Sequence, residues 1–406
     1  MLLLKLAFRN MLRQKRRSLL TGLSMTGGYI LFSYSLALLL GSFGNVIEIF
    51  TLDRTGHIQI HADNYLKRPK IYKTVDDMEK VGSVLDTSTE VTSWTGRVFA
   101  PALAYAGDKT TPVSVTGIDP VREPTVSRVA DKLTEGEFFN GTPDADGYFQ
   151  AMIGFSVAQT LEIGPGDEIV LISQGADGSI ANDIYMITGV IGNRNASDRN
   201  TVYLPLGAGQ EFLALGSRVH EVAMLVADPA ENEAVAAGIG TRLPGLTVSP
   251  WQKVEETFYR TMESDKQGNY FTMGLIVFLV FVGVLNTVVM SVLERTQEFG
   301  VLRAIGSRPG NIINMICLET TMMAALSCLV GIVIAMPLNW WFANYGIMMP
   351  DPIDMGGVTF QHMKGEFSPR IFLIPLGFML GTAVLISILP GIRAARISPR
   401  EALGSH

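Results

Sequence analysis

Long apolar stretches occur at four places along the chain, and a long polar region separates the first from the other three. Residues 18–47 carry no charged side chain, and apolar segments recur at 269–293, 312–338 and 371–392. A hydrocarbon core about 30 Å thick needs about 20 apolar residues in a helix to span it. The pattern therefore predicts four transmembrane helices, with a large extramembrane domain inserted between the first and the second.

The polar region between the first two spans mixes two periodicities. Residues 57–61, 96–105 and 111–118 alternate polar and apolar side chains, which is typical of half-buried strands. Further strands are predicted at 168–172, 183–190, 201–205 and 220–226, and helices at 76–90, 151–161, 208–215 and 229–242. This mixture predicts an α+β domain with a β-rich middle.

Charge predicts the orientation of the chain. The segments before the first span, between the second and third, and after the fourth together hold 12 basic and 3 acidic residues, whereas residues 48–266 hold 31 acidic and 18 basic residues. Lys and Arg close to span ends stay on the cytoplasmic side. Both termini and the 294–311 loop are therefore predicted to be cytoplasmic. The inserted domain lies outside, which in a bacterium means the periplasm or the cell surface.

The predicted fold class is thus an α-helical membrane protein with four transmembrane helices and a large α+β periplasmic domain between the first and second helices, in the bacterial inner membrane. The predicted segments are a cytoplasmic amphipathic elbow helix (1–17), the first span (18–47), the periplasmic domain (48–267), the second span (268–293), a cytoplasmic coupling segment (294–311), the third span with its outer interface (312–349), a short periplasmic loop (350–369), the fourth span (370–392) and a cytoplasmic tail (393–406).

The N-terminal segment is predicted to be an amphipathic helix rather than a cleaved signal peptide, because residues 18–47 exceed the length of a signal core. Basic side chains recur at spacings of four, four and three, which places them on one helical face. Such a helix rests in the membrane interface with its charges toward anionic lipid, although a solvated helix end is the alternative. The interface residues are Lys5, Arg9, Arg13, Arg16 and Arg17.

Cysteine and histidine positions indicate neither a disulfide nor a metal site. Cys317 and Cys328 both lie in the third span, about 16 Å apart along a helix, and are interpreted as packing residues. The external region has no cysteine and must therefore rely on a hydrophobic core. His57 and His61 would lie about 13 Å apart along a strand, too far to share a metal ion.

The sequence carries no motif of a hydrolase or an ATPase. It lacks a Gly-x-Ser-x-Gly elbow, a His-Glu-x-x-His pair and a Gly-x-x-x-x-Gly-Lys-Ser/Thr phosphate loop. We therefore predict that the chain is not an enzyme, holds no cofactor of its own and binds no nucleic acid. If ATP drives its activity, another chain must supply the ATPase.

The loop between the second and third spans has more apolar residues than a simple connector. It interleaves charged residues with four apolar ones, and Gly306 and Pro309 would end a short helix there. The apolar residues are Phe299, Val301, Leu302 and Ile305. A protein partner for the apolar side is one interpretation, and an interfacial helix without a partner is the other.

This loop resembles the coupling segment of the FtsX-like permease family of ABC transporters. The matching residues are Glu298, Gly300, Leu302, Arg303, Ala304 and Gly306. The C-terminal run from Pro390 to Leu403, the N-terminal run from Leu6 to Arg17 and the one-plus-three span layout are similar to the family as well. The resemblance implies that the residues contacting an ATPase are Glu294, Arg295, Glu298, Phe299, Gly300, Leu302, Arg303, Ala304, Ile305 and Gly306.

Within that family the chain looks most similar to the lipoprotein-releasing permeases of the LolC and LolE type. Residues 56–61 and 166–171 carry this likeness. The loop Ser173–Asn182 departs from the LolC pattern, because it is short and lacks proline. This favours a LolE-like or different cargo role over a LolC-style transfer to a carrier. The chain also lacks the fused ATPase domain of MacB-type exporters.

The resemblance implies a dimeric transporter. Its partners would be ABC ATPase subunits, which bind ATP and Mg, a second permease copy or sister permease, membrane lipid or lipoprotein cargo, and a periplasmic partner. Arg303 and Glu298 would pair with charges of the ATPase, and Phe299, Leu302 and Ile305 would fill its groove. Glu319 is an intramembrane acidic residue that either pairs with a cytoplasmic Arg or a sister chain, or lies at headgroup level.

Three other functions remain open. The external domain could switch on a cell-wall hydrolase, as an FtsX-type regulator would, and transport nothing. The chain could export hydrophobic peptides or drugs. It could also be a membrane-anchored sensor without an ATPase. The sequence selects no cargo, and it leaves open whether Gly404, Ser405 and His406 are native.

Overall fold

The computed structural model describes residues 15–144, 146–355 and 358–396. They divide into two compact units. The membrane unit contains the described residues up to Asn45, residues 262–349 and those from 362 onward, and the extramembrane unit contains 46–261 and 350–361. The predicted interface residues Lys5, Arg9 and Arg13 and the tail beyond Arg396 lie outside the described residues, while Arg16 is described and exposed.

The helices and strands of the described residues are numbered in chain order. The helices are α1 (Lys15–Phe50), α2 (Met78–Asp86), α3 (Glu123–Val126), α4 (Phe155–Leu161), α5 (Leu206–Phe212), α6 (Asn232–Arg242), α7 (Trp251–Val254), α8 (Glu256–Glu294), α9 (Thr296–Ala304), α10 (Pro309–Tyr345) and α11 (Arg370–Arg396). The strands are β1 (Ile58–Ala62), β2 (Val91–Ala106), β3 (Lys109–Ile118), β4 (Leu133–Gly136), β5 (Phe149–Gly154), β6 (Glu168–Gln174), β7 (Ile180–Ile191), β8 (Thr201–Pro205), β9 (Glu221–Val226), β10 (Leu246–Pro250), β11 (Ile347–Met355) and β12 (Val358–Met363).

Four of the described helices, α1, α8, α10 and α11, are long and apolar enough to cross a membrane. This confirms the four predicted spans and the position of the inserted domain. The chain between α10 and α11, predicted as a short loop, pairs β11 with β12 into a two-stranded sheet. A π-helical turn at Thr51–Thr55 continues α1.

Buried polar contacts hold α1 against α10 and α11. The amide of Asn339 donates to the Ser33 hydroxyl at 3.0 Å, and neither residue is exposed. The Tyr29 hydroxyl donates to the carbonyl oxygen of Phe372 at 3.0 Å. Because a polar group in hydrocarbon is costly without a partner, these bonds favour one arrangement of the helices over alternatives that would separate the pairs.

Two glycines of α1 allow close approach inside the membrane unit. A Cβ atom at Gly28 would lie 2.2 Å from a methyl carbon of Val280, and one at Gly41 would lie 2.2 Å from the backbone of Gly365. The backbone N–H of Glu366 also donates to the carbonyl oxygen of Ala37 at 2.9 Å. Both glycines therefore serve packing within this chain.

The extramembrane unit is built on one large, mostly antiparallel sheet. Its strand order is β10-β1-β9-β2-β3-β8-β5-β7-β4, and β6 pairs with both β2 and β7. Parallel pairing occurs between β3 and β8 and between β5 and β7.

The α+β prediction is confirmed, but residues 151–161 are not one helix: the first part belongs to β5 and only Phe155–Leu161 is helical. The first part is a strand because β5 pairs with both β7 and β8, and this pairing outweighs the helical pattern of its sequence.

The sheet carries buried charges as well as an apolar core. Arg97 on β2 is 5% exposed, and its guanidinium contacts Glu123 at 2.6 Å and Glu221 at 3.0 Å. The same guanidinium donates to the carbonyl oxygen of Arg54 at 2.7 Å. His61 on β1 lies 3.3 Å from the other oxygen of Glu221. Burial raises the pKa of Glu221, but the bond from His61 and the charge of Arg97 outweigh it and lower that pKa.

Buried His220 and half-buried His57 make the extramembrane unit sensitive to acid. Nδ1 of His220 accepts from the backbone N–H of Phe99 at 2.9 Å, while Nε2 lies 2.8 Å from the carbonyl oxygen of Ile71. Nδ1 of His57 accepts from the N–H of Val226 at 3.1 Å. Burial lowers the pKa of both histidines. In the folded state both therefore resist taking up a second proton, which would have to displace these backbone bonds.

Acidification below the unfolded histidine pKa of about 6.5 is therefore expected to destabilise the protein. The unfolded chain then binds more protons than the folded one, so stability falls by up to about 1.4 kcal/mol per pH unit for each histidine. Thermal unfolding of the purified protein between pH 7.5 and pH 5.5 measures the effect. His220→Gln should reduce the pH dependence. An unchanged slope in that variant would contradict the assignment.

Candidate functional site

The segment between the second and third spans forms a helix with defined ends. Arg295 leaves helical geometry between α8 and α9, with φ −108° and ψ 17°. At the other end Gly306 has φ +92°, its N–H donates to the oxygen of Arg303, and the N–H of Ser307 donates to the oxygen of Leu302, each at 3.0 Å. These two bonds define a Schellman motif, for which glycine is suited because it tolerates positive φ. The sequence predicts that Pro309 helps to end this helix; instead Pro309 is the first residue of α10.

One side of α9 is part of the core of the membrane unit. Phe299 is 1% exposed and belongs to a buried cluster with Val292 of α8, Ile312 of α10 and Ala394 of α11. Leu302 is half-buried against the same cluster. Phe299 therefore anchors α9 to its own chain, and its ring is not available to fill a groove on another protein in this arrangement.

The other side of α9 is apolar and exposed. Val301 is 46% exposed and Ile305, just after the helix, is 76% exposed, with Ala304 exposed beside them. Residues four apart on a helix lie on the same face, so Val301 and Ile305 form one patch. Glu298 precedes them on this side, where its carboxylate accepts from Nε of Arg295 at 2.8 Å.

Arg295 bridges two acidic residues at the start of the segment. Its Nη1 lies 3.0 Å from Glu319 on α10, in addition to the contact with Glu298. The side chains of Arg295 and Glu319 are only 12% and 16% exposed. A cytoplasmic Arg is one of the partners that the sequence predicts for Glu319. The ion pair links the turn between α8 and α9 directly to α10.

Removing the positive charge of this pair is expected to destabilise the membrane unit. Arg295→Met leaves Glu319 largely buried without its partner, which costs about 3 kcal/mol. The double variant Arg295→Met with Glu319→Leu should recover most of this loss, because apolar side chains can replace a buried pair. Thermal denaturation in detergent measures both. Arg260→Met, which breaks an exposed pair with Glu256, is the matched control and should change stability little.

Arg303 is held inside the segment. Its Nη1 donates to the carbonyl oxygen of Ser307 at 3.1 Å, and within the described part of the chain its buried Nε has no hydrogen-bond partner. Gly300 is buried, while Glu294 and Gly306 are exposed. The structure thus places the sequence-predicted residues at the end of α8, on the short helix α9 and in the turns on either side of α9. Their role in contacting an ATPase stays a prediction.

The loop Ser173–Asn182, which departs from the LolC pattern in sequence, forms a compact hairpin. Strands β6 and β7 remain paired up to Gln174 and Ile180, and the N–H of Gly175 donates to the oxygen of Ser179 at 2.9 Å. The Asp177 side chain accepts from the backbone and hydroxyl of Ser179, which lowers the pKa of that carboxyl. The hairpin is therefore closed by its own hydrogen bonds.

Comparison with known proteins agrees with this arrangement. Residues 270–399 match the FtsX-like permease C-terminal family, and residues 18–242 match the MacB-like periplasmic core domain. The first match covers the second to fourth spans with α9, and the second covers the first span and most of the inserted domain. Together the fold and the site define the membrane-spanning permease of an ABC transporter. The chain belongs to the FtsX-like permease family that carries a MacB-like periplasmic core.

Individual relatives cover most of the chain. It is 24% identical over 415 residues to the lipoprotein-releasing system transmembrane protein LolC of Xylella fastidiosa, covering 97% of this chain and 96% of that protein. It is 21% identical over 345 residues to LolE of Haemophilus influenzae, 82% of each. The macrolide export ATP-binding/permease protein MacB of Nitrobacter winogradskyi is 24% identical over 285 residues, 67% of this chain and 41% of that protein.

Proposed function

We propose that this chain couples ATP hydrolysis by a separate ATPase to movement of its periplasmic domain, and thereby extracts lipoprotein or another hydrophobic cargo from the bacterial inner membrane. The observation that carries the proposal is the two-sided helix α9. Phe299 anchors its inner side in the chain's own core, while Val301 and Ile305 leave an apolar patch exposed. An exposed apolar patch beside charged residues is typical of a protein contact surface.

The proposed coupling runs through contacts inside the membrane unit. An ATPase holding α9 by its exposed patch would move Phe299 and the Arg295–Glu319 pair with it. These contacts connect α9 to α8 and α10, and α8 is continuous with the chain of the extramembrane unit. ATP and Mg would bind to the ATPase. Both termini and α9 would face the cytoplasm, because the basic residues concentrate there.

A dimer completes the proposal, because the described part of one chain supplies four spans and a single α9 helix. The second subunit is either another copy or a sister permease. Export of hydrophobic small molecules is the second candidate function, favoured by the similarity to a macrolide export protein over 67% of the chain.

Purification from native membranes tests the proposal. Mass spectrometry of every co-purifying protein and lipid should recover an ABC ATPase together with triacylated lipoprotein. An ATPase accompanied by a small-molecule phenotype and no acylated cargo would favour export, and an ATPase with a cell-wall hydrolase would favour the regulator. Failure to recover any ATPase would contradict the coupling role itself.

A further inference from the structure

The loop at residues 64–73, between β1 and α2, concentrates positive charge. Four of the 18 basic residues between positions 48 and 266 lie within it, at positions 67, 68, 70 and 73, and no acidic residue occurs between Asp63 and Asp76. The same region of the chain holds 31 acidic residues. This basic loop therefore has the opposite charge to most of the extramembrane unit.

Stacked rings attach the basic loop to the sheet. The Tyr65 ring lies between the rings of His61 on β1 and His220 just before β9, with centroid distances of 5.4 and 5.6 Å. Nε2 of His220 also lies 2.8 Å from the carbonyl oxygen of Ile71, and Ile71 packs against the apolar core. The loop is thus fixed close to both of its ends.

A lysine closes the basic loop across its width. Nζ of Lys73 donates to Oδ1 of Asn64 and to the carbonyl oxygen of Arg68, the second at 2.9 Å. The N–H of Arg68 donates to the carbonyl oxygen of Asn64 at 3.1 Å. Because these bonds order the backbone before a partner arrives, less conformational entropy is lost on binding.

Three cations at the tip of the loop have no internal partner. Lys67, Arg68 and Lys70 are exposed, and their side chains form no ion pair or hydrogen bond with any described residue. The carboxylates nearest in sequence line a separate pocket that contains an equal number of cations. That pocket is lined by Asp63, Asp76 and Asp77 and by Lys73, Lys80 and Arg218. The charge of the tip is therefore available to a partner.

Apolar side chains flank the tip on both sides. Tyr72 is 62% exposed and Leu66 is 37% exposed. Tyrosine and arginine are enriched where proteins contact each other, above all at the positions that contribute most to binding. A partner that covers this surface must therefore carry both negative charge and an apolar side chain.

An anionic membrane surface and an acidic protein segment both meet the charge requirement. Beyond the apolar segment that ends at residue 47, α1 and its π-helical turn continue to Thr55, about 10 Å further along the chain. The five residues of β1 add about 16 Å before the loop begins. Attraction between exposed charges falls off over about 8 Å at physiological salt. This separation favours a soluble partner over the membrane.

We propose that the basic loop is a docking surface for an acidic segment of a soluble protein outside the membrane. Lys67, Arg68 and Lys70 pair with its carboxylates, and Tyr72 covers an apolar side chain beside them. The acidic remainder of the extramembrane unit repels the same segment, which confines it to the loop. This surface is separate from α9, so recovery of the ATPase should not depend on it, and the two proposals can fail independently.

Titration of the full-length protein in phosphatidylcholine nanodiscs with a fluorescent peptide of glutamate and leucine tests the proposal. A peptide with glutamine in place of glutamate is the neutral comparison. We expect the acidic peptide to bind at least tenfold more tightly than the neutral one, and less tightly as salt is added, because salt screens exposed charges. Lys67→Gln combined with Arg68→Gln should weaken binding about tenfold, and so should Tyr72→Ala.

The matched control combines Arg194→Gln with Lys253→Gln, which removes one exposed arginine and one exposed lysine from the same unit and should leave the affinity unchanged. All these positions are exposed, so the melting temperature should stay close to that of the wild type. The proposal is overturned if the acidic peptide does not bind, if the neutral peptide binds as tightly, or if the loop and control variants weaken binding equally.

Vesicles of phosphatidylglycerol test the membrane as the alternative partner. The wild-type protein should bind them more weakly than it binds the acidic peptide. Tighter binding to these vesicles than to the peptide, lost when Lys67→Gln and Arg68→Gln are combined, would assign the loop to lipid and overturn the proposal.

Discussion

Arg97→Met should lower the stability of this protein at least as much as Arg295→Met does. The change removes the shared partner of Glu123 and Glu221, whose side chains are 3% and 9% exposed. Breaking a buried ion pair costs about 3–5 kcal/mol, because the remaining charge stays buried without compensation. For a protein of this size the loss corresponds to a fall of about 10 °C in melting temperature, measurable in detergent by differential scanning fluorimetry.

Two comparisons make this result specific. Arg194→Met removes an exposed arginine from the same unit and should change the melting temperature by about 1–2 °C at most. The deficit of Arg97→Met should also shrink as the pH falls toward 4. Without the guanidinium, burial raises the pKa of Glu221, so its carboxyl takes up a proton more readily when folded. In the wild type the lowered pKa of Glu221 contributes fully to stability above the unfolded pKa, and this contribution is lost as the pH falls through the folded pKa. A deficit that grows on acidification would contradict this account.

Ile305→Asp should uncouple the chain from its ATPase while leaving it folded. Ile305 is 76% exposed, so the substitution costs little in the isolated chain. In a contact with the ATPase it would place a carboxylate in an apolar pocket and cost about 2 kcal/mol or more, about thirtyfold in affinity. Co-purification of the ATPase and stimulation of its hydrolysis measure the effect.

The matched control for this change is Val121→Asp, which puts the same charge on a 79% exposed apolar residue of the extramembrane unit. That variant should retain the ATPase at wild-type level. Ile305 is preferred to Arg303 as the probe, since Arg303 also holds the turn at Ser307 and its loss would disturb the segment itself. Full ATPase recovery with Ile305→Asp would show that this patch is not the contact surface.

Local pattern is sufficient to predict the spans and many of the strands. The strand predicted at 201–205 matches β8 residue for residue, because polar and apolar side chains alternate along it and a turn precedes it. Gly306 closes α9 and Pro309 begins α10, each at a position that its backbone preference favours. In contrast, the local pattern does not predict β10, and it predicts a helix where β5 lies. Both strands depend on pairing with strands that are distant in sequence. The local periodicity of polar and apolar residues carries no information about this pairing.

The sites depend even more on distant contacts. The sequence identifies α9 as amphipathic, but it does not show that Phe299 faces inward while Ile305 faces outward, since both are apolar residues in the same short segment. The partners of Arg97 lie 26 and 124 residues away in sequence. The basic residues of the loop at 64–73 are evident in the sequence. The stacking of Tyr65 on His220, which holds that loop to the sheet, joins residues that are distant in sequence and follows no local pattern.

The attachment of α9 has a mechanical consequence. Arg295 ties its start to α10, Phe299 fixes its middle in the core, and the Schellman turn at Gly306 closes its end. A helix fixed at both ends and in its middle moves as a rigid element and does not act as a hinge. A load applied at Ile305 would therefore reach α8 and α10 together, with little of the displacement absorbed by bending. Weakening the attachment at Arg295, Phe299 or Gly306 should leave the exposed patch intact. Such a protein should still bind the proposed ATPase but transmit a smaller displacement to α8 and α10.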